Sequence, residues 1–177
     1  MFNQEFIDTD ALTTKKKEKI LSLTFADCTP IYLFDKNQKV IANIHSGWKG
    51  TVKKIAKKSV KFMKEKYSSN PEDIICVIGP TIRKCHFEVQ QDVRDIFYNE
   101  FEYMKNIDDI IKYNKETKSY FIDTVEINKN LLQEEGIPEE NIIDSNVCTY
   151  CNSNIIHSHR KEGKEAGRNT ALICLKK

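Results

Sequence analysis

The chain reads as an α+β fold with mixed β-sheets and flanking helices. Three observations predict it. Apolar segments at 20–26, 31–34 and 40–45 follow one another with only turn-like residues between them, including Asp35 to Gln38. A long amphipathic segment at 51–67 places Val52, Ile55, Ala56, Val60 and Met63 at helical spacing. Strands and helices then fail to alternate one for one, which argues against a doubly wound parallel sheet.

Taken in order, residues 1–19 are polar, carry the run Lys15-Lys16-Lys17, and predict no packed element. The three clustered strands predict a strand–loop–strand–turn–strand meander. Gly47 and Gly50 frame Trp48 just before the long helix. Seven lysines between Lys53 and Lys66 read as its solvated face. A break at 70–73 precedes a strand at 74–79. A short strand at 87–89, a helix at 92–101, a charged surface excursion at 102–119 and an extended piece at 120–123 follow. A helix at 125–135 stops at Gly136-Ile137-Pro138, a helix end followed by a breaker. A charged stretch then leads to Cys148 and Cys151, a charged loop and a closing strand at 171–175.

The 177 residues suit a single domain with a real core. A net charge of +2 gives no support for a nucleic-acid partner. No apolar run reaches the roughly 18–20 residues that span a bilayer, so no membrane is expected. The N-terminus lacks the basic and apolar regions of a signal peptide, and a cytoplasmic location is expected. Six cysteines without an export signal read as free thiols.

Four histidines, His45, His86, His157 and His159, each lie near a cysteine, an acid or another histidine. Cys28 and His45 both end predicted strands, where active groups often meet solvent. As a pair they suit a zinc site or a Cys–His nucleophile and base, and equally a buried thiol and an ordinary histidine. Cys148-x-x-Cys151 followed by His157-x-His159 resembles a compact four-ligand zinc site, although its two ligand pairs lie close together. Arg160, Lys161 and Arg168 form a cationic group fit for phosphate or carboxylate. Asp123 suits either proton handling or the N-cap of the 125–135 helix. Cys85, His86 and Glu88 follow Gly79-Pro80 in a turn or a pocket loop.

The order of these segments resembles the YfiH-type laccase-domain family, described both as multicopper polyphenol oxidases and as purine nucleoside phosphorylases. The matching pieces are 10–14, 24–30 (Thr24 to Pro30), 45–50 (His45 to Gly50), 78–89, 121–123, 148–151, 158–161 and 167–168. The resemblance implies a cytoplasmic enzyme splitting purine nucleosides such as adenosine and inosine with phosphate, with adenosine deaminase activity also ascribed to the family. It implies an α/β fold with mixed sheets, likened to a toxin family of Cys–His deamidases. It also implies a zinc, or copper, held by a His, a Cys and a His. The cysteine carries over to Cys28 and the second histidine to His45. Arg160, Arg168 and His159 become candidates for phosphate or substrate contact, and Asp123 joins Cys28 and His45 as a catalytic candidate.

The first histidine ligand of the family lies upstream of Asp10, and none of the nine preceding residues is histidine. The domain, 1–177, is therefore expected to be N-terminally short relative to the family. A third ligand could come from His86, from a partner chain or separate N-terminal piece, or not at all. His157 stands where the family tends to have an aromatic, and Lys161 where arginine is usual. A metal-independent Cys–His hydrolase and a weakly active or non-catalytic member are the alternatives. A multicopper oxidase ranks lowest, because four histidines are too few.

Overall fold

A computed structural model describes residues 8–177. The expectation that the polar N-terminus lacks a packed element lies outside the described residues for 1–7. For 8–19 it is corrected, because β1 (Ala11–Thr14) pairs antiparallel with a central strand.

The elements run as β1, β2 (Ile20–Phe25), β3 (Thr29–Asp35), β4 (Val40–Ser46), α1 (Trp48–Val52), α2 (Ile55–Tyr67), β5 (Ile74–Ile78) and β6 (Glu88–Val89). Then come α3 (Gln91–Phe101), α4 (Ile107–Ile110), β7 (Ile111–Asn114), β8 (Ser119–Ile122), α5 (Thr124–Glu134), β9 (Ile142–Asp144), α6 (His159–Glu162) and β10 (Asn169–Cys174). The main sheet has the order β1-β4-β3-β5-β9, with only β5 and β9 parallel. Two smaller sheets are β10-β2 and β6-β8-β7. The mixed α+β class is as the sequence predicts.

The predicted meander is only partly formed. β3 and β4 make the antiparallel hairpin, but β2 pairs with β10 in an antiparallel register of six residue pairs, from Ile20 against Cys174 to Phe25 against Asn169.

 Between β2 and β3 the chain turns at Asp27, whose φ of 80° lies in the left-handed region that aspartate tolerates better than most residues. That turn sends β2 out of the main sheet and over its face. Buried Asn43 of β4 donates from Nδ2 to the carbonyls of Leu21 and Ala171, tying the two layers together.

β4 is covered on both faces, which is why it reads as a nearly continuous apolar run. Val40, Ala42 and Ile44 join Ile31 and Leu33 of β3 and pack against Ala56, Val60 and Met63 of α2 and Val125 and Leu132 of α5. A second core gathers Phe97 and Phe101 of α3, Ile107 and Ile110 of α4, Ile122 of β8, and Ile127 and Leu131 of α5. Helix α5 therefore contributes to both cores. The expected surface excursion at 102–119 is corrected here: Met104, Ile107 and Ile110 are buried, and 111–114 forms β7.

The predicted long helix is broken. α1 ends at Val52, Lys54 takes φ 58°, and α2 begins at Ile55. The Lys54 amine is held by Glu100 at 2.7 Å and lies over the rings of Phe101 and Tyr103, which fixes this bend against α3. Part of the supposed solvated lysine face also meets α5, where Lys57 pairs with Glu134 at 2.7 Å. Strand β9, within the stretch expected to be only charged, adds to the sheet edge beside β5.

Candidate functional site

Cys28 and His45 come together at one end of the main sheet. Pro30 of β3 stands opposite His45 of β4, so Cys28, two residues before it, emerges beside the histidine. A Cβ added at Gly47 would lie 3.2 Å from Cys28 Sγ and 3.5 Å from His45 Cε1, so the glycine leaves room for both side chains. His45 Nδ1 is 3.0 Å from the Asp10 carboxylate, and its backbone N–H donates to the Asp10 carbonyl. The Cys28 hydrogen bond pushes the imidazole up to about 9, against burial, with Asp10 adding to the rise. With Nδ1 committed to Asp10, Nε2 is the nitrogen left for another partner.

The turn carrying His45 rests on a buried polar hub. Ser46 Oγ lies 2.9 Å from Thr51 Oγ1 and donates to Asn128 Oδ1, while Thr51 Oγ1 donates to the Gly47 carbonyl. On the other side, Asp27 is a clamp. Its Oδ1 accepts from Thr149 Oγ1 at 2.5 Å, and its Oδ2 accepts from the Arg160 N–H at 2.6 Å. Its carbonyl accepts from Thr81 Oγ1 and the Ile82 N–H. One aspartate thus fixes three later segments around the residue that precedes Cys28.

These residues wall an open cleft of about 170 Å³ whose lining includes Cys28, Trp48, Phe87, Thr124, His159 and Arg160. A second recess, bounded by Trp48, Phe87, Val93 and Arg160, adjoins it. Arg160 Nη1 donates to the carbonyls of His86 and Glu88, so the cation is anchored at the rim.

The other predicted residues are placed differently. Asp123 caps α5, accepting from the Glu126 N–H at 3.0 Å. Arg168 folds onto the carbonyls of Ala166 and Gly167 and is absent from the lining of both recesses. His157 pairs with Glu162 through Nδ1 at 3.1 Å.

The Cys148-x-x-Cys151 pair finds partners other than the expected His157 and His159. Cys85, His86, Cys148 and Cys151 bring their donor atoms within 4.8 Å of one another, a group able to hold a metal ion. His86 is therefore engaged with this group, stacked on Tyr150 with ring centroids 3.9 Å apart, rather than swung towards Cys28. Burial pushes the Cys85 thiol up to about 12, with the neighbouring Cys148 adding to the rise. Burial also opposes ionisation of Cys148, but backbone hydrogen bonds from Cys151 and Arg83 outweigh it and hold this thiol below its usual range.

Sequence alone points to Cys28, His45, Arg160 and His159 but carries no role for Asp10, Asp27, Thr149 or the Ser46–Thr51–Asn128 hub. The only local signal was the adjacency of Asp27 to Cys28. The others depend on contacts between segments far apart in the chain.

A family model described as multi-copper polyphenol oxidoreductase laccase matches residues 2–176. The chain belongs to that family. The chain is 34% identical over 168 residues to purine nucleoside phosphorylase YlmD of Bacillus subtilis, covering 95% of this chain and 59% of that protein. It is 33% identical to adenosine deaminase RL5 of an unknown prokaryotic organism, covering 90% of this chain and 59% of that one. The crystal structure of the hypothetical protein YfiH of Bacillus licheniformis superposes with a TM-score of 0.88 at 36% identity, covering 95% of this chain and 62% of that chain. The chain thus spans about three fifths of the length of these laccase-family relatives. Among its described residues no helix is long and apolar enough to cross a membrane.

Proposed function

We propose that this laccase-family chain is a purine nucleoside phosphorylase that uses the Cys28 cleft, with adenosine or inosine and phosphate as substrates. The observation that carries the reading is an aromatic-walled cleft lined by Cys28, with His45 beside the thiol and Arg160 at the rim. Relatives carrying the phosphorylase name support the choice of substrate.

Trp48 and Phe87 offer apolar faces against which a purine can lie. Arg160 supplies positive charge for phosphate, and Asp27 holds its backbone in place. In phosphorolysis a phosphate oxygen bonds to C1′ of the ribose as the bond from C1′ to the purine nitrogen breaks. The bonding pair leaves with the purine, which must take up a proton. His159, in the cleft wall, is the residue of this reading for that proton. Asp123 and Arg168 enter it only after exchanging their present hydrogen bonds.

Cys28 and His45 fit two positions of a metal site by donor type. Asp10 on Nδ1 is the outer carboxylate that often orients a ligating imidazole. A bound zinc would supply Lewis acidity towards an anionic oxygen. No third donor joins Cys28 and His45 in a metal-competent group among the described residues. A third ligand from a partner chain or from sequence beyond this chain belongs to the proposal.

The deciding experiment incubates purified protein with inosine or adenosine, with and without phosphate, and measures free base and ribose 1-phosphate by chromatography. Phosphate-dependent base release supports the reading. Inosine formed from adenosine without base release would replace it with deamination. A second reading, a metal-independent Cys–His hydrolase, rests on the Cys28 thiol and the His45 imidazole standing side by side next to Gly47. It predicts fast iodoacetamide labelling of Cys28 in metal-free protein, and slow labelling there would eliminate it.

A further inference from the structure

We propose that Cys85, His86, Cys148 and Cys151 form a closed structural site for a thiophilic divalent cation of the zinc class, separate from the Cys28 cleft. The distances fit the chemistry. Tetrahedral zinc with bonds of about 2.3 Å to sulfur and about 2.0 Å to nitrogen places sulfurs about 3.8 Å apart, and a sulfur and a nitrogen about 3.5 Å apart. Cys85 Sγ lies 3.7 Å from Cys148 Sγ and 3.9 Å from Cys151 Sγ. His86 Nδ1 lies 3.1, 4.0 and 3.4 Å from the sulfurs of Cys85, Cys148 and Cys151. Five of the six donor–donor distances thus lie near tetrahedral spacing, the sixth is within 4.8 Å, and the Cys85 sulfur is far outside the roughly 2.05 Å of a disulfide from either partner.

The surroundings offer hydrogen-bond donors and cations to the group. Backbone hydrogen bonds from Cys151 and Arg83 reach Cys148. Stacking on Tyr150 orients the His86 ring, and Lys161 Nζ lies 4.5 Å from the centre of the Tyr150 ring. Three thiolates around a divalent cation leave one negative charge, and Lys161 and Arg83 lie near enough to offset it. All four protein positions are filled, which is the arrangement of a structural site, with none open for substrate.

The site would fasten the Cys85 loop to the Cys148 loop. The Cys85 loop is held by Arg83, which forks onto Asp144 at 2.7 and 2.9 Å. The Cys148 loop meets Thr81 through one parallel bridge and reaches Asp27 through Thr149. Arg160 donates to the His86 carbonyl. A cation here would therefore hold the Asp27 clamp and the Arg160 anchor in register without touching substrate.

The test uses cobalt as the probe. The full chain is reduced, stripped of metal and titrated with Co²⁺, and its thiolate-to-cobalt absorption is recorded. A tetrahedral site with three thiolates should give about three times the charge-transfer intensity of a one-thiolate site. Cys28→Ala/His45→Ala protein should keep this band, while Cys85→Ser and Cys151→Ser, both at exposed positions, should each weaken cobalt binding at least tenfold. Zinc should protect Cys85 and Cys151 from alkylation. Loss of the band in Cys28→Ala/His45→Ala protein, with retention in both serine variants, would overturn the proposal. So would unchanged alkylation of Cys85 and Cys151 at saturating zinc. Neither readout depends on nucleoside turnover, so the site and the phosphorylase reading fail separately.

Discussion

The two Cys/His groups of this chain are built in opposite ways. Cys28 and His45 stand at the ends of adjoining sheet segments, with a carboxylate behind the imidazole and a cleft in front. Cys85, His86, Cys148 and Cys151 sit on loops and turn their four donor atoms towards one another. The rigid sheet can hold two donors without help and leave the remaining positions open. The loops have little regular pairing, so their donors gain most from a shared centre. Chemistry is therefore expected at the first group and structural order at the second.

The largest expected break in this comparison is Cys28→Ala. It should lower phosphorolysis by about a thousandfold while the cobalt band of the other group and the melting temperature stay near wild type. A similar loss of activity accompanied by unfolding would remove the distinction between the two groups.

Asp144→Ala is next and acts on the loop side. The buried carboxylate holds Arg83 and Lys129, and its loss should destabilise the fold by about 3 kcal/mol in urea denaturation. Burial pushes the Asp144 carboxyl up, but Arg83, the Asn146 N–H and Lys129 together bring it well below the usual carboxylate range. A depressed folded-state value gives stability that is present above the unfolded value of about 4 and is lost as pH falls below it. Wild type should therefore lose more stability than Asp144→Ala between about pH 5 and pH 2.

Asp10→Asn should have a smaller effect, confined to the cleft. Losing the carboxylate behind His45 should weaken zinc binding by Cys28 and His45 about tenfold in competition with a chromophoric chelator, leaving the four-donor group unchanged. Gly47→Ala should be smallest. Its methyl group would press on Cys28 Sγ at 3.2 Å and lower turnover severalfold, with little change in melting temperature.

Much of the strand and helix content was legible because apolar periodicity is local. β3, β4, β5, α3 and α5 each carry their own pattern. Partnership was less legible. β2 reads as the first strand of a meander because it lies near β3 in sequence, yet its partner β10 lies near the other end of the chain. Met104, Ile107 and Ile110 are spaced like one helix face, but the surrounding charge made 102–119 read as surface. Cys28 and His45 stand out in the sequence because each ends a predicted strand and the family motifs frame them, and the fold brings them side by side. Cys85 and His86 as partners of Cys148 and Cys151 were not found, since the expected pairing looked ahead to His157 and His159. The contact crosses about 60 residues of chain, and sequence spacing carries no information about it.

Helix α5 gives the two cores a common fate. Val125 and Leu132 are buried in one, and Ile127 and Leu131 in the other, so the helix cannot leave either without exposing both. Its first turn begins at Thr124 in the cleft wall, and Asn128 supports the turn that carries His45. Local melting of the helix would therefore be scarcely cheaper than global unfolding. The cleft is thereby expected to inherit the cooperativity of the whole molecule, losing its shape only when the fold itself is lost.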